Sequence, residues 1–101
     1  PSDRGSGMEI AKANIVRSEA GRDKGKLFYV LNVDGEYLLL ADGKERKAER
    51  PKRKKRRHVR FVSAGAGSLC EKIRSEERVT NSELRKALAA FRGEQDPSQE
   101  G

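Results

Sequence analysis

Two apolar runs, KLFYVLNV (26–33) and EYLLLA (36–41), flank Asp34-Gly35, and no other stretch restricts the fold of this chain as tightly. The first run is rich in β-branched and aromatic residues suited to a pleated strand, and an Asp-Gly pair tolerates the positive φ that a two-residue hairpin link needs. Strand, turn, strand is the expectation, with NIVRS (14–18) as a weaker strand ahead of it. A second Asp-Gly, Asp42-Gly43, predicts a turn into a further strand over KERKAE (44–49). Pro51 then blocks continuation of that strand's hydrogen bonding, because proline has no N–H to give to a ladder. HVRFV (58–62) offers a short closing strand with Val59 and Phe61 on one face. About five short strands in so little chain predict a small barrel or rolled sheet.

After residue 62 the pattern changes. SAGAGS (63–68) reads as a small-residue linker, and Ser68 with Glu71 has the spacing of a capping box ahead of a brief helix. Thr80 with Glu83 repeats the signal before a stripe of Leu84, Ala87, Leu88 and Phe91. Arg92 and Gly93 supply a cationic last turn and a stop, so a helix is predicted over about 81–92. Its stripe is expected to dock on the sheet. The domain plan is thus a disordered leader or cloning remnant over 1–8, a β unit over 9–62 with a basic segment at 44–60, linker and helices over 63–92, and a disordered tail over 93–101.

Charge is the second constraint. Residues 44–60 hold eleven Lys and Arg against Glu45 and Glu49, a net +9, whereas the whole 101-residue chain carries only +7. The basicity is therefore local, and a block this dense attracts polyanions. With 39% charged residues and 5% aromatic, the chain otherwise approaches the composition of disordered proteins. No run has the length of a membrane span. Cys70 is the single cysteine, so no internal disulfide and no cysteine-based zinc site are available, and a cytoplasmic location is the expectation.

The stretch ANIVRSEAGRDKGKLFYVLNV (13–33) resembles a KOW motif: a strand, a Gly-Arg-Asp-Lys-Gly-Lys loop at 21–26, then a strand bearing Val30 and Val33. Many KOW motifs place Gly-Asp or Gly-Gln ahead of the first strand, where this chain has Ala13-Asn14. Together with YLLLADGKERKAERPKRKKRRHV (37–59) and TNSELRKAL (80–88), the chain from about Glu9 to Phe91 is similar to short bacterial KOW-domain RNA-binding proteins related to ribosomal protein L-fourteen-e. The resemblance implies a mainly β, SH3-like barrel with a C-terminal helical appendage, and a ribosome-associated binder of ribosomal RNA.

The residues agree with a phosphate-binding role in two groups. The larger comprises Lys44, Arg46, Lys47, Arg50, Lys52, Arg53, Lys54, Lys55, Arg56, Arg57 and His58. The lesser comprises Arg17, Arg22, Lys24 and Lys26 beside the loop shaped by Gly21 and Gly25. If the fold brings the two together, a concave RNA surface results, on which Tyr29 or Tyr37 would stack bases if exposed. Rival readings are a nuclear address in PKRKKRR (51–57), a protein-interaction adaptor in transcription elongation or translation, and a general nucleic-acid binder. Cys70, His58 and Glu76-Glu77 form no catalytic constellation, and the loop at 21–26 lacks the Gly-Lys-Ser/Thr ending of a nucleotide-binding loop. The expectation is a noncatalytic monomer with no cofactor, metal, small-molecule substrate or membrane partner. Neutralising residues 52–57 is expected to leave the fold intact and to flatten the salt dependence of RNA binding, read by titration at several salt concentrations.

Overall fold

The computed structural model of the protein describes residues 10–65 and 67–95. In chain order its elements are β1 (Ile15–Ser18), β2 (Leu27–Asp34), β3 (Tyr37–Ala41), β4 (Lys52–Lys55), a 3-10 turn (Arg56–His58), β5 (Val59–Ser63), α1 (Ser68–Arg74) and α2 (Asn81–Gln95). All strand pairs are antiparallel, in the order β4-β3-β2-β1-β5. The chain meanders through four strands and returns the fifth beside the first. β4 and β5 are the two edges and do not pair with each other, so the expected barrel is found as an open, mainly β sheet.

Both faces of this sheet are buried. Val16, Phe28, Val30, Leu38, Leu40 and Val59 form one cluster with Ile10. Among the described residues, no helical one belongs to it. On the opposite face Ile15, Tyr29 and Ala41 pack with Leu69, Cys70 and Ile73 of α1 and Leu84 and Leu88 of α2. A register shift between Val30 and Asn32 makes this double use possible. The extra residue, Leu31, turns toward the helical side, and Val33 returns to the face of Val30 although an odd number of positions separates them. Phe28, Leu38 and Leu40 are wholly buried, each contributing about 1.5–3 kcal/mol by leaving water.

The α2 stripe docks as its spacing predicts, with Leu84 and Leu88 buried and Ala87 and Phe91 packed at the margin. Its capping box is formed: Thr80 Oγ1 accepts from the Glu83 amide at 3.1 Å, and Glu83 Oε1 accepts from the Thr80 amide at 3.0 Å. The helix then runs through Gly93 to Gln95, past the predicted stop and into the predicted tail. The first box is not made. Gly67 is the N-cap of α1, without a side-chain capping bond, and Ser68 is already helical. The predicted leader and the rest of the tail lie outside the described residues.

Two strand expectations also change. The hairpin loop is Gly35-Glu36, one residue later than Asp34-Gly35, because Asp34 pairs with Tyr37. Gly35 takes φ +63°, which suits the first position of a Gly-led hairpin turn. Residues 44–49 are not a strand; the fourth strand begins after Pro51 and consists of the basic run itself. Asp42 explains this, because its Oδ1 accepts from the Lys44 and Arg46 amides, both at 2.9 Å, and folds that segment into a compact loop. Phe61 shares a face with Val59, as the alternation predicts, but at the sheet edge it is 42% exposed.

The 42–51 loop is pinned to α2. Asn81 Oδ1 accepts from the Ala48 amide at 2.7 Å, and Arg85 Nη1 donates to the Gly43 carbonyl at 2.7 Å. Gly43 has φ +78°, and a Cβ there would run into the Asn81 carbonyl. Gly25 has φ +90° with open space around it. Gly25→Ala is therefore expected to cost about 1–2 kcal/mol for its backbone alone, and Gly43→Ala about 2–4 kcal/mol because overpacking is added. Urea denaturation of the two variants checks this; equal losses would show that the contact with α2 adds nothing.

Candidate nucleic-acid interface

The basic strand is divided by its own pleat. Cross-strand partners share a face, so Lys52 and Lys54, opposite Leu40 and Leu38, lie on the side of the inner cluster. Arg53 and Lys55, opposite Leu39 and Tyr37, lie on the other. The inward pair reaches the loop between β1 and β2. Lys52 Nζ is 3.1 Å from Asp23 Oδ2, and Lys54 Nζ donates to the Ala20 carbonyl at 2.9 Å. The outward pair sits over Tyr37, with the Arg53 guanidinium 4.2 Å and the Lys55 ammonium 5.9 Å from the ring centroid.

Asp23 is the centre of this junction. It is 5% exposed, and Arg46 approaches the same carboxylate oxygen at 3.8 Å. Burial pushes its carboxyl upward, but the Lys52 hydrogen bond and the charges of Lys52, Arg46 and Lys54 outweigh burial and hold it below its ordinary value. Lys26 adds a second tie to the 42–51 loop through Glu45 at 2.5 Å. The loop's backbone is closed by the Gly25 amide donating to the Ser18 carbonyl at 2.8 Å and the Ser18 amide to the Lys26 carbonyl at 3.0 Å. At its corners Gly21 and Gly25 both take positive φ, +79° and +90°, and Arg22 and Lys24 are left exposed between them.

The two groups of cations read from the sequence are thus brought together, but not all of them are available to a ligand. Lys52, Lys54, Lys26 and Arg46 are engaged with the loop junction. Lys44, Lys47 and Arg50 are exposed on the 42–51 loop, Arg53 on β4, and Arg57 and His58 at the 3-10 turn. Arg56 is half-buried in that turn, and its amide donates to the Glu36 carbonyl at 2.8 Å. Arg17 lies on β1 and pairs with Glu19 at 2.9 Å. Neutralising the whole run 52–57 would consequently disturb the fold, because Lys52 and Lys54 hold the loop.

Of the aromatic candidates, Tyr29 is 2% exposed and burial pushes its phenol up to about 12. It is core. Tyr37 is half-buried beneath Arg53. Sequence reading missed Asp23, the anchor of the loop, and Asn81 and Arg85, which fix the segment leading into β4. The Asp23 signal was an acid enclosed by Arg22 and Lys24. Acidic groups outnumber basic ones elsewhere: a cleft of about 660 Å³ between the sheet and the α1–α2 connection is lined by Leu31, Leu39 and Val79 together with Glu49, Glu76 and Glu77 and one cation, Arg78. Among the described residues, no helix is long and apolar enough to cross a membrane, and no three His, Cys, Asp or Glu side chains cluster as a metal site. Comparison with known proteins finds no matching family model and no matching curated relative.

Asp23→Asn should destabilise the protein by about 1–3 kcal/mol at neutral pH, since it leaves Lys52 facing a neutral group at a buried junction. The folded-state pKa of Asp23 lies below the ordinary 3.8, so its contribution is complete above that value and is lost as pH falls through the folded one. Denaturation curves of parent and variant should converge below pH 3.8. A difference that persists unchanged in acid would contradict an electrostatic role.

Proposed function

We propose that this chain is a noncatalytic RNA-binding protein of the KOW type, with an SH3-like barrel fold and ribosomal RNA of the large subunit as its partner. The observation that carries the reading is the junction of the glycine-cornered loop with the basic strand, which sets exposed Arg22 and Lys24 beside the cationic segment from Arg53 to Arg57. The barrel assignment draws on the return of β5 to β1 and on a cluster formed almost wholly by strand residues on one face of the sheet. The KOW resemblance draws support from Ala13, which takes φ +71°. That backbone favours glycine, the residue many KOW motifs carry there.

The mechanism is electrostatic. Exposed cations replace counterions along RNA phosphates, giving affinity without reading sequence. Two arms of charge held at a fixed separation by Asp23 set the orientation of the bound strand. In this reading the protein acts as a cytoplasmic monomer.

The triple variant Arg53→Gln, Lys55→Gln, Arg57→Gln spares the loop-holding lysines. It should keep the parent's cooperative unfolding while reducing the slope of log affinity against log salt by about 2, at roughly 0.7 per lost phosphate contact on single-stranded RNA. On a sucrose gradient the parent should travel with the large ribosomal subunit at moderate salt and the variant should not. An unchanged slope, or a parent absent from every ribosomal fraction, removes the reading.

A further inference from the structure

Phe61 is the one large hydrophobic side chain exposed among the described residues, and phosphate binding gives it nothing to do. It lies on β5, which pairs with β1 along one edge and has no strand on the other among the described residues. Its cross-strand partner is Val16, wholly buried in the inner cluster. The ring therefore sits at the rim of that cluster and leaves much of its surface in water.

Its neighbours are cationic. Arg60 precedes it with a side chain 68% exposed and pairs across the sheet with Arg17. Glu19 faces both guanidiniums, 2.9 Å from Arg17 and 3.8 Å from Arg60, which orients them and leaves the trio net positive. Arg57 and His58 lead into the strand and are exposed. Successive strand residues point to opposite faces, so the Phe61 ring and the Arg60 guanidinium lie on opposite sides of one open edge.

That arrangement matches the chemistry of an unpaired nucleotide. A base offers an apolar face to an aromatic ring, its polar edges suit the N–H and C=O groups along a strand edge that no other described strand pairs, and its phosphate suits a guanidinium. A duplex keeps its base faces stacked inside and has nothing to present to Phe61. A second copy added edge to edge would bring Arg57 and Arg60 toward the same charges on its partner.

We propose that the open edge of β5 is a binding site for single-stranded RNA, with one unstacked base resting on Phe61 and the flanking phosphates on Arg60 and Arg17. This inference rests on the RNA-binding reading and adds to it a preference for unpaired over duplex RNA.

The probes are a mixed-sequence single-stranded RNA of about twelve nucleotides, within the site sizes such surfaces cover, and a blunt RNA duplex of the same sequence. Phe61→Ala should weaken single-strand binding by about five- to a hundredfold, the range of one base stacked on an aromatic ring. The salt slope and the duplex affinity should stay as in the parent. The chain has no tryptophan, so Phe61→Trp installs a lone indole that should retain binding and be quenched by the single strand and not by the duplex. Parental single-strand affinity in Phe61→Ala overturns the site. If the Arg53, Lys55, Arg57 variant then still loses salt slope, the RNA-binding reading survives without it. A parent that self-associates through this edge and becomes monomeric in Phe61→Ala also overturns the site, and a parent that binds neither RNA overturns both.

Discussion

A strand of four consecutive cations joins this sheet because one buried carboxylate meets it. Repulsion within Lys52, Arg53, Lys54 and Lys55 opposes any extended, paired arrangement, and burying even one of these ammonium groups without a partner is costly. Asp23 answers the charge of Lys52 directly and that of Lys54 and Arg46 at longer range. The carboxylate lies in the loop between β1 and β2, so the ion pair that ties β4 to its place also holds that loop against the strand. Loop position, strand position and the closeness of the two basic groups are coupled through this ion pair, with Lys54 on the Ala20 carbonyl and Lys26 on Glu45 as supporting ties.

The second dependence is on α2. β4 is an edge strand with one neighbour, and the segment ahead of it contains no regular structure. Asn81 and Arg85 hold that segment from the helix side while Asp42 holds it from within. The helix therefore does more than cover the outer face of the sheet. Its first turn fixes where the chain enters β4, which sets the register that sends Lys52 and Lys54 inward. Packing of Leu84 and Leu88 and presentation of Arg53 and Lys55 are linked through one anchored loop.

Legibility in the sequence followed whether a signal was local. The hairpin of β2 and β3 and the start of α2 rest on apolar runs, a turn residue and a capping box within a few positions of each other, and these were readable. β4 was not. KRKK has no apolar alternation, and Pro51 reads as a breaker; what makes it a strand is pairing with Leu38 and Leu40 and an acid some thirty positions earlier. Alternation puts Phe61 on the face of Val59, and the register agrees, but that rule gives the face and not the distance from the edge. Val33 shares a face with Val30 only because of the bulge at Leu31, which no residue in the run announces. The cationic block was visible as charge, while its division into loop-holding and exposed members needed the register.

That division changes how a basic segment should be weighed. Counting charges treats every lysine in RPKRKKRR (50–57) as equally able to reach a phosphate. In a pleated strand alternate residues face opposite ways, so half of such a run can be spent on the protein's own carboxylates and carbonyls. Here Lys52 and Lys54 are spent in that way, and Arg53, Lys55 and the turn that follows are the members of the run left to set the outward field. The inward members still contribute, because they hold the loop that carries Arg22 and Lys24. The electrostatic footprint is thus smaller than the sequence count and better fixed in space, and the proposed orientation of a polyanion whose sequence is not read rests on that fixed arrangement.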